Sequence, residues 1–254
     1  MRILFVADVF GAPGRRAVET RLPALRAELG ADFCIVNGEN AAAGRGITAK
    51  LADRMLGSGA DVITLGNWTW GQPGFAPYLS GTDRVLRPAN LSPQTPGTGL
   101  AVHDGVAVIN LLGSFSLQPF ESAFIAVDRL VLEARARTSV VVLDFHAEAT
   151  SEKVAMARYL DGRVTAVIGT HTHVQTSDAR VLKGGTAAIT DAGMTGPHDS
   201  IIGSDDHNAI RRFLTGMPMR LEPATGDVRI EGALVECGAD GRATSCTAVR
   251  VEVD

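Results

Sequence analysis

Short apolar runs recur along the chain and predict buried β-strands. The five clearest runs cover residues 2–7, 33–36, 61–65, 140–145 and 164–168. Each run is short, rich in β-branched residues and free of regularly alternating polar positions, which is typical of strands covered on both faces of a sheet. Two further runs, at 99–103 and 106–112, predict a β-rich middle segment. The pattern indicates an α/β fold.

Apolar residues at helical spacing occupy much of the chain between these strands. Val18, Leu22, Leu25 and Leu29 recur in this way and predict the first helix, which Pro13 and Gly14 open. Further helices are predicted at 51–56 behind Thr48 as N-cap, at 120–137, from 151 to 160 and at 208–214. Short strands and turns dominate after residue 180, so we expect the final third to supply a second sheet. This predicts one domain over residues 1–254, with two sheets that each carry helices on the outer face.

Composition and charge narrow the classes of partner. Hydrophobic residues make up 45% of the chain and charged residues 20%, as in ordinary globular domains. The net charge is -4 and no basic run is present, so we expect no stable nucleic-acid complex. Small phosphorylated ligands remain compatible with this charge, because bound metals can supply the positive charge.

Several features favour a cytoplasmic protein without membrane association. The apolar runs are well short of a membrane span, and the apolar N-terminus reaches Asp8 too early for a signal peptide. The three cysteines, Cys34, Cys237 and Cys246, have no zinc-like spacing and suit a reducing compartment. The oligomeric state is left open, and a homo-oligomer is compatible with the sequence.

Residues with metal-binding side chains follow the five clearest strands at their carboxyl ends. They are Asp8, Glu39 with Asn40, Asn67, His146, and His171 with His173. Because ligands gather outside the carboxyl ends of strands in open α/β sheets, we expect these side chains to converge. Taken singly, the aspartate and the asparagines are ordinary turn residues, and His146 could be a satisfied core histidine. Their occurrence together at the same end of five strands is what indicates a metal site.

The donor types indicate which metals would bind. Carboxylate, amide and imidazole donors without a thiolate disfavour a structural zinc site or an iron–sulfur cluster. They suit Fe, Mn, Zn or Co, and we expect Fe or Mn. Seven ligands exceed the needs of one ion, whereas two ions roughly 3.5–4 Å apart, bridged by a carboxylate and a hydroxide, would use all of them. Such a centre suits the hydrolysis of phosphate esters.

The segments that carry these residues resemble the ordered motifs of the calcineurin-like metallophosphoesterases. Within that superfamily they are most similar to the bacterial YmdB-like branch. The motifs are DVFGAPG at 8–14, NGEN at 37–40, DFHAEATSEK at 144–153, GTHTH at 169–173 and DAGMTGP at 191–197. The resemblance implies a four-layer α/β/β/α sandwich. It also implies a phosphodiesterase that acts on small cyclic nucleotides, such as 2′,3′- or 3′,5′-cyclic ones.

The resemblance also implies a role for each ligand. Glu39 would bridge the two ions. One ion would be held by Asp8, Asn40 and His173, and the other by Asn67, His146 and His171. The residues Glu148, Glu152 and Lys153 belong to a motif but have no assigned chemistry, and a structural role is expected for Glu152.

Two positions depart from the superfamily pattern. Phe10 stands where the wider superfamily has a histidine, a change that the YmdB-like branch shares. Trp68 replaces the histidine of the Gly-Asn-His motif, which is usually placed near the phosphate and the leaving group. An indole only donates a hydrogen bond and cannot act as a general acid. The general acid is therefore unassigned, and we expect Trp68 and His198 to contact the substrate.

Three functions compete at this point. The first is a dinuclear metal-dependent phosphodiesterase, in which a metal-activated hydroxide attacks phosphorus and Trp68 slows turnover. The second is a metal-containing nucleotide-binding protein with little turnover, in which Trp68 stacks on a base. The third is a phosphomonoesterase or a nuclease, and the absence of a basic groove signal counts against the nuclease.

Overall fold

Alternating side chains of the first strand enter two different hydrophobic cores. In β1 (Arg2–Val6) of the computed structural model, which describes residues 1–253, Ile3 and Phe5 face one core, whereas Leu4 and Val6 face another. Successive side chains of a strand point to opposite faces of its sheet, so an all-apolar strand must be covered on both sides. This explains why the predicted strands lack polar alternation.

The first sheet combines parallel strands with a long antiparallel hairpin. Its strands run in the order β11-β12-β1-β2-β3-β4, and β13 pairs with β12. The strands β1 to β4 are mutually parallel, and β12 runs antiparallel to β1. Besides β1, the strands are β2 (Phe33–Asn37), β3 (Val62–Thr64), β4 (Val85–Leu86), β11 (Gly196–Asp199), β12 (Gly226–Cys237) and β13 (Ala243–Glu252).

The second sheet has the order β5-β6-β7-β8-β10-β9. Its four central strands are parallel, and the two edge strands are antiparallel to their neighbours. The strands are β5 (Leu100–His103), β6 (Val106–Leu112), β7 (Val140–His146), β8 (Ala166–Thr170), β9 (Arg180–Val181) and β10 (Ala187–Ile189).

Three hydrophobic cores define four layers. The core between the sheets contains Phe5 and Val142, contributed by facing strands. A second core packs helices on the outer face of the first sheet, and a third does the same for the second sheet. The helices are α1 (Gly11–Glu28), α2 (Ala49–Gly57), α3 (Ala76–Ser80), α4 (Ala123–Arg135), α5 (Thr150–Tyr159) and α6 (Asp206–Thr215). The expected four-layer α/β/β/α sandwich of the metallophosphoesterase type is confirmed.

One expectation about the sheets is wrong. The final third contributes only the short strands β9 and β10 to the second sheet, because β11, β12 and β13 extend the first sheet and the other four strands of the second sheet lie between residues 100 and 170. The physical reason is that β1 would otherwise be an edge strand. The long strand β12 pairs with β1 from Arg2 opposite Glu236 to Val6 opposite Gly232, which satisfies the backbone groups of β1. Two short elements between residues 71 and 98, α3 and β4, were not predicted.

The topology brings the carboxyl ends of strands from both sheets to one edge of the sandwich. The strands β1, β2 and β3 of the first sheet, and β7 and β8 of the second, all end there in the segments that carry the candidate ligands. Across residues 1–253, no helix is both long and apolar enough to cross a membrane.

Candidate metal centre

The ring nitrogen Nε2 of His146 is surrounded by three donor atoms. It lies 3.0 Å from Glu39 Oε1, 3.0 Å from Asn67 Oδ1 and 3.0 Å from His171 Nδ1. Glu39 and His146 are fully buried, and His171 is partly so. Donor atoms that each lie roughly 2.1 Å from one ion, at right angles to one another, are themselves about 3.0 Å apart. These distances fit the ligands of a single metal ion.

The hydrogen bonds of His146 determine which ring nitrogen carries the lone pair. The hydroxyl of Thr170 donates to Asp144 Oδ1 at 2.7 Å, so the Thr170 oxygen accepts from His146 Nδ1 at 2.9 Å. The lone pair of Nε2 then faces two acceptor oxygens, which repel it unless a cation stands between them. Burial would lower the pKa of His146, but the carboxylates of Glu39, Asp8 and Asp144 together raise that pKa to about 9. A proton on Nε2 is one such cation, and a metal ion is the other.

His173 shows the same feature at a second position. Its Nδ1–H donates to the carbonyl of Ile202 at 2.9 Å, which leaves the lone pair on Nε2. That lone pair lies 3.3 Å from Asn40 Oδ1, whose orientation is fixed because Nδ2 donates to the Gly44 carbonyl at 3.1 Å. Burial lowers the pKa of His173, so a proton is disfavoured there. Two acceptors that face each other in a buried site are again suited to a metal ion.

Asp8 has a buried carboxylate oxygen without a hydrogen-bond partner, close to His146. Among the side-chain atoms of residues 1–253, Asp8 Oδ1 is one of two buried atoms without a hydrogen-bond partner. It lies 3.8 Å from His146 Nδ1, while Asp8 Oδ2 accepts from the backbone N–H of His171 at 3.2 Å. Burial raises the pKa of Asp8 well above its usual range. A charged carboxylate at this position therefore requires a cation nearby.

The third histidine is also oriented by an outer partner. His171 Nε2 lies 2.9 Å from the Glu148 carboxylate, which assigns the hydrogen to Nε2 and the lone pair to Nδ1. Burial lowers the pKa of His171 to about 3, so the ring is neutral. Metal-binding histidines commonly donate their other N–H to a carboxylate or a carbonyl. His171 and His173 have such an acceptor, and His146 has the Thr170 hydroxyl, which is itself bonded to the Asp144 carboxylate. Burial would raise the pKa of Glu39, but His146, the Trp68 backbone N–H and His171 together hold that pKa below its usual value.

The His-x-His loop has a strained backbone that a buried ion pair holds in place. His171 and His173 have φ values of 103° and 64°, in the region that non-glycine residues rarely adopt. Between them, Thr172 donates its backbone N–H and its hydroxyl to Asp191 Oδ2 at 3.0 and 2.7 Å. The same oxygen lies 2.6 Å from Lys153 Nζ, and both side chains are buried. The pair therefore anchors the centre of the ligand loop.

Trp68 lies at the rim of the cluster and faces a large cavity. Its backbone N–H donates to Glu39 Oε2 at 3.0 Å, and its half-buried indole lies beneath the Arg45 guanidinium, 4.2 Å from the ring centroid. The cavity has a volume of about 930 Å³ and is lined by Glu39, Asn40, Trp68, His171 and His173 among others. The cluster is thus open to a ligand of nucleotide size.

His198 does not line this cavity. It lies in a neighbouring cavity of about 180 Å³ with Glu231 and Arg250, on another side of His173. Its Nε2 lies 3.2 Å from the Met194 carbonyl and 4.0 Å from the Glu231 carboxylate. The structure therefore brings the seven candidate ligands and Trp68 together and separates His198 from them.

Several site residues escaped the sequence reasoning. The relay from Asp144 to His146 and the pair of Lys153 with Asp191 lie inside the quoted motifs, so the motifs were the available signal. Arg45 lies in a short loop of small residues and gave no signal of its own. Glu152 is buried and accepts from the Ser114 backbone N–H at 2.8 Å, which accords with the expected structural role.

Comparison with known proteins finds similarity to one family across nearly the whole chain. The family model described as "YmdB-like protein" matches residues 4–249. The chain is 47% identical, over 240 residues, to the "2′,3′-cyclic-nucleotide 2′-phosphodiesterase" of Bacillus subtilis (strain 168), covering 93% of this chain and 91% of that protein.

Two solved structures are also similar. A hypothetical protein from Thermus thermophilus has a TM-score of 0.93 and 39% identity, with 99% of each chain covered. A novel phosphatase from Mycoplasma pneumoniae has a TM-score of 0.92 and 32% identity, with 99% of this chain and 93% of that chain covered.

We predict that Gly66→Ala disrupts the cluster without removing a ligand. A Cβ atom at this position would lie 2.3 Å from Glu39 Oε2 and 2.5 Å from His146 Nε2, so both side chains must move. Metal affinity, measured by titration with Mn²⁺, should fall about 10–100-fold. Gly57→Ala is the matched control, because its Cβ would have no neighbour within 4 Å. Unchanged affinity in Gly66→Ala would contradict the geometry.

We predict strong coupling between Lys153 and Asp191. Replacing either alone, as in Lys153→Met or Asp191→Asn, leaves its charged partner buried and should lower the free energy of unfolding by about 3–5 kcal/mol. The double variant should lose clearly less than the sum, as urea denaturation would show. The exposed pair Arg163 and Asp128 is the control, and its replacement should change the free energy of unfolding little because solvent screens the two charges. Additive losses at Lys153 and Asp191 would show that the two buried charges do not stabilise each other.

Proposed function

The chain belongs to the YmdB-like family, and from this premise we propose that it is a metal-dependent phosphodiesterase that opens nucleoside 2′,3′-cyclic phosphates. Membership makes it a hydrolase of phosphoric esters. The proposal for the substrate is supported by the name of the Bacillus subtilis relative. It extends to 3′,5′-cyclic nucleotides as a second substrate of the same site, in a cytoplasmic enzyme that works as one domain.

One observation carries the metal dependence. His146 Nε2 faces Glu39 Oε1 and Asn67 Oδ1 at 3.0 Å, while the Nδ1–H on the other side of the ring donates to Thr170. We assign Asn67, His146 and His171 to one ion, Asp8, Asn40 and His173 to the other, and Glu39 to both. The donors are imidazole, carboxylate and amide groups, which favour Fe or Mn and allow Zn or Co.

The bound ions would supply Lewis-acid charge that polarises the phosphoryl oxygens and lowers the pKa of a water molecule. The side chains supply the rest of the site. Buried ligands with fixed tautomers present lone pairs in a constant direction, so little reorganisation is needed when the substrate binds. The Trp68 indole and the Arg45 guanidinium stacked on it form a flat wall against which a nucleobase can pack.

Trp68 also supports the competing function of a nucleotide-binding protein with little turnover. Within residues 1–253, the histidines that line the cavity beside Trp68 are the candidate ligands His171 and His173, and His198 lies in the neighbouring cavity, which supports an unassigned general acid. A phosphomonoesterase is a third function, which the description of the Mycoplasma pneumoniae neighbour as a phosphatase favours. Turnover of matched phosphate mono- and diesters by the metal-loaded protein separates the three.

We predict that Glu39→Ala releases both ions, whereas His173→Ala mainly releases the ion shared with Asp8. A bridging carboxylate contributes to both positions, and a terminal ligand to one. Metal content after reconstitution, measured by elemental analysis, should fall furthest in Glu39→Ala, with circular dichroism as the check on folding. Full metal content and activity in Glu39→Ala would show that the bridging role is wrong.

Because Trp68 cannot donate a proton, we predict that the rate of hydrolysis depends strongly on the leaving group. A general acid contributes about 10²–10⁴-fold by protonating the departing oxygen. A nitrophenolate leaves readily without a proton, whereas a ribose alkoxide does not. The native chain should therefore hydrolyse a nitrophenyl phosphodiester measurably and be slow on 2′,3′-cyclic nucleotides.

The variant Trp68→His is the test of this account. It should accelerate the cyclic nucleotides much more than the nitrophenyl ester, as parallel kcat measurements would show. Equal acceleration of both substrates would mean that the indole obstructs the cavity and that the missing proton is not the cause. A native chain that is fast on both substrates would mean that another group already donates the proton.

A further inference from the structure

The cavity over the metal-ligand cluster extends well beyond the ligands themselves. Its volume of about 930 Å³ lies at the upper end of the roughly 300–1,000 Å³ usual for small-molecule sites. Its walls include the loop around Trp68 and, on another side, the helix α6 with the segment that follows it. A cyclic phosphate held at the ligands would leave the α6 wall for other parts of a substrate.

The helix α6 is placed by the ligand loop and presents one face to the cavity. The Ile202 carbonyl, which accepts from His173, lies just before the helix. Within the helix, Ala209, Arg212 and Phe213 line the cavity, at the i, i+3, i+4 spacing of a single helical face. Arg211 precedes Arg212 but is not among the lining residues. Of these two adjacent arginines, only Arg212 therefore lines the cavity.

The charge of this cavity is opposite to that of the chain. Arg45, Arg212 and Arg220 line it, in a protein of net charge -4. The two acidic residues that line the cavity each contact a histidine ring, Glu39 that of His146 and Glu148 that of His171. Within residues 1–253 the Arg212 guanidinium has no hydrogen bond or ion pair, whereas Arg220 pairs with Glu222 at 2.8 Å. Arg212 thus offers free donors to an anion in the cavity.

A helix-stabilising role is the alternative interpretation of Arg212. Basic residues in the last turn of a helix interact favourably with the helix dipole, and Arg212 is the basic residue of the last turn of α6. The dipole accounts for a positive charge at this end of α6, whereas the cavity that Arg212 lines gives an anion access to it. A dipole role alone predicts no difference between substrates with and without a 5′-side phosphate.

We propose that Arg212 binds a second phosphate of the substrate, on the 5′ side of the nucleoside whose 2′,3′-cyclic phosphate is opened. This rests on the proposed function and deepens it. The charge of the scissile phosphate would be matched by the metal ions of the proposed function, so the guanidinium on a separate wall serves another anion. A guanidinium binds a phosphate through paired N–H donors. The preferred substrate class is then a 5′-phosphorylated or oligonucleotide 2′,3′-cyclic phosphate.

The experiment compares three substrates of the metal-loaded full-length chain. They are adenosine 2′,3′-cyclic phosphate, its 5′-phosphorylated form, and the dinucleotide ApA with a terminal 2′,3′-cyclic phosphate. The two with a 5′-side phosphate should have kcat/KM values about tenfold or more higher, through a lower KM, as expected for one charged hydrogen-bonded contact. This advantage should shrink as KCl is raised, because exposed charges are screened.

The matched variants are Arg212→Ala and Arg211→Ala, with Arg212→Lys as the conservative change. Arg212→Ala should raise KM for the two phosphorylated substrates and remove their advantage, whereas Arg211→Ala should keep it and Arg212→Lys should retain part of it. Equal kcat/KM for all three substrates in the native chain would overturn the proposal. So would the same behaviour of Arg211→Ala and Arg212→Ala.

A binding measurement separates this proposal from the proposed function. Isothermal titration calorimetry would compare adenosine 3′,5′-bisphosphate with adenosine 3′-monophosphate. Tighter binding of the bisphosphate by about tenfold, lost in Arg212→Ala, would support the second phosphate site even if no substrate were turned over. Equal affinities would overturn it, even if adenosine 2′,3′-cyclic phosphate were hydrolysed rapidly.

Discussion

Lone pairs that face each other inside a buried cluster are the constraint on which the rest of this structure depends. His146 Nε2 faces Glu39 and Asn67 oxygens at 3.0 Å, and His173 Nε2 faces the Asn40 oxygen at 3.3 Å. An unpaired polar atom in a protein interior costs about 1–3 kcal/mol, and several together are rarely tolerated. The cluster is therefore chemically complete only with positive charge at its centre. The proposed pair of metal ions would provide that charge while leaving the histidines neutral.

The surroundings of the cluster are arranged to keep those lone pairs inward. Asp144 accepts from Thr170, which in turn accepts from His146, and the Ile202 carbonyl and the Glu148 carboxylate fix the other two rings. The backbone of the His-x-His loop adopts two unfavourable φ values to reach this geometry. Such strain persists only where the surrounding structure determines it, and the buried pair of Lys153 and Asp191 supplies that support through Thr172. Distant residues of the chain thus act on the direction of a few lone pairs.

Much of the fold and the ligand set could be predicted from the sequence because both rest on local rules. The apolar run at residues 2–7 implies burial on both faces, and a residue such as Asp8 at its end implies a place at the sheet edge. Other features depend on which distant segments meet. The sequence of the hairpin of β12 and β13 carries no mark of its partner strand, so it does not reveal that β12 pairs with β1. The stacking of Arg45 on Trp68 and the pairing of Lys153 with Asp191 likewise appear only in the folded chain.

Locating the ions is the most direct test of the claim that seven side chains form a two-metal centre. The measurement is the crystal structure of the protein loaded with Mn²⁺ or iron, with the ions identified by anomalous scattering. Two peaks roughly 3.5–4 Å apart are predicted, with the Glu39 carboxylate touching both. His171 should contact one ion and His173 the other. A single peak, or peaks away from these residues, would contradict the account.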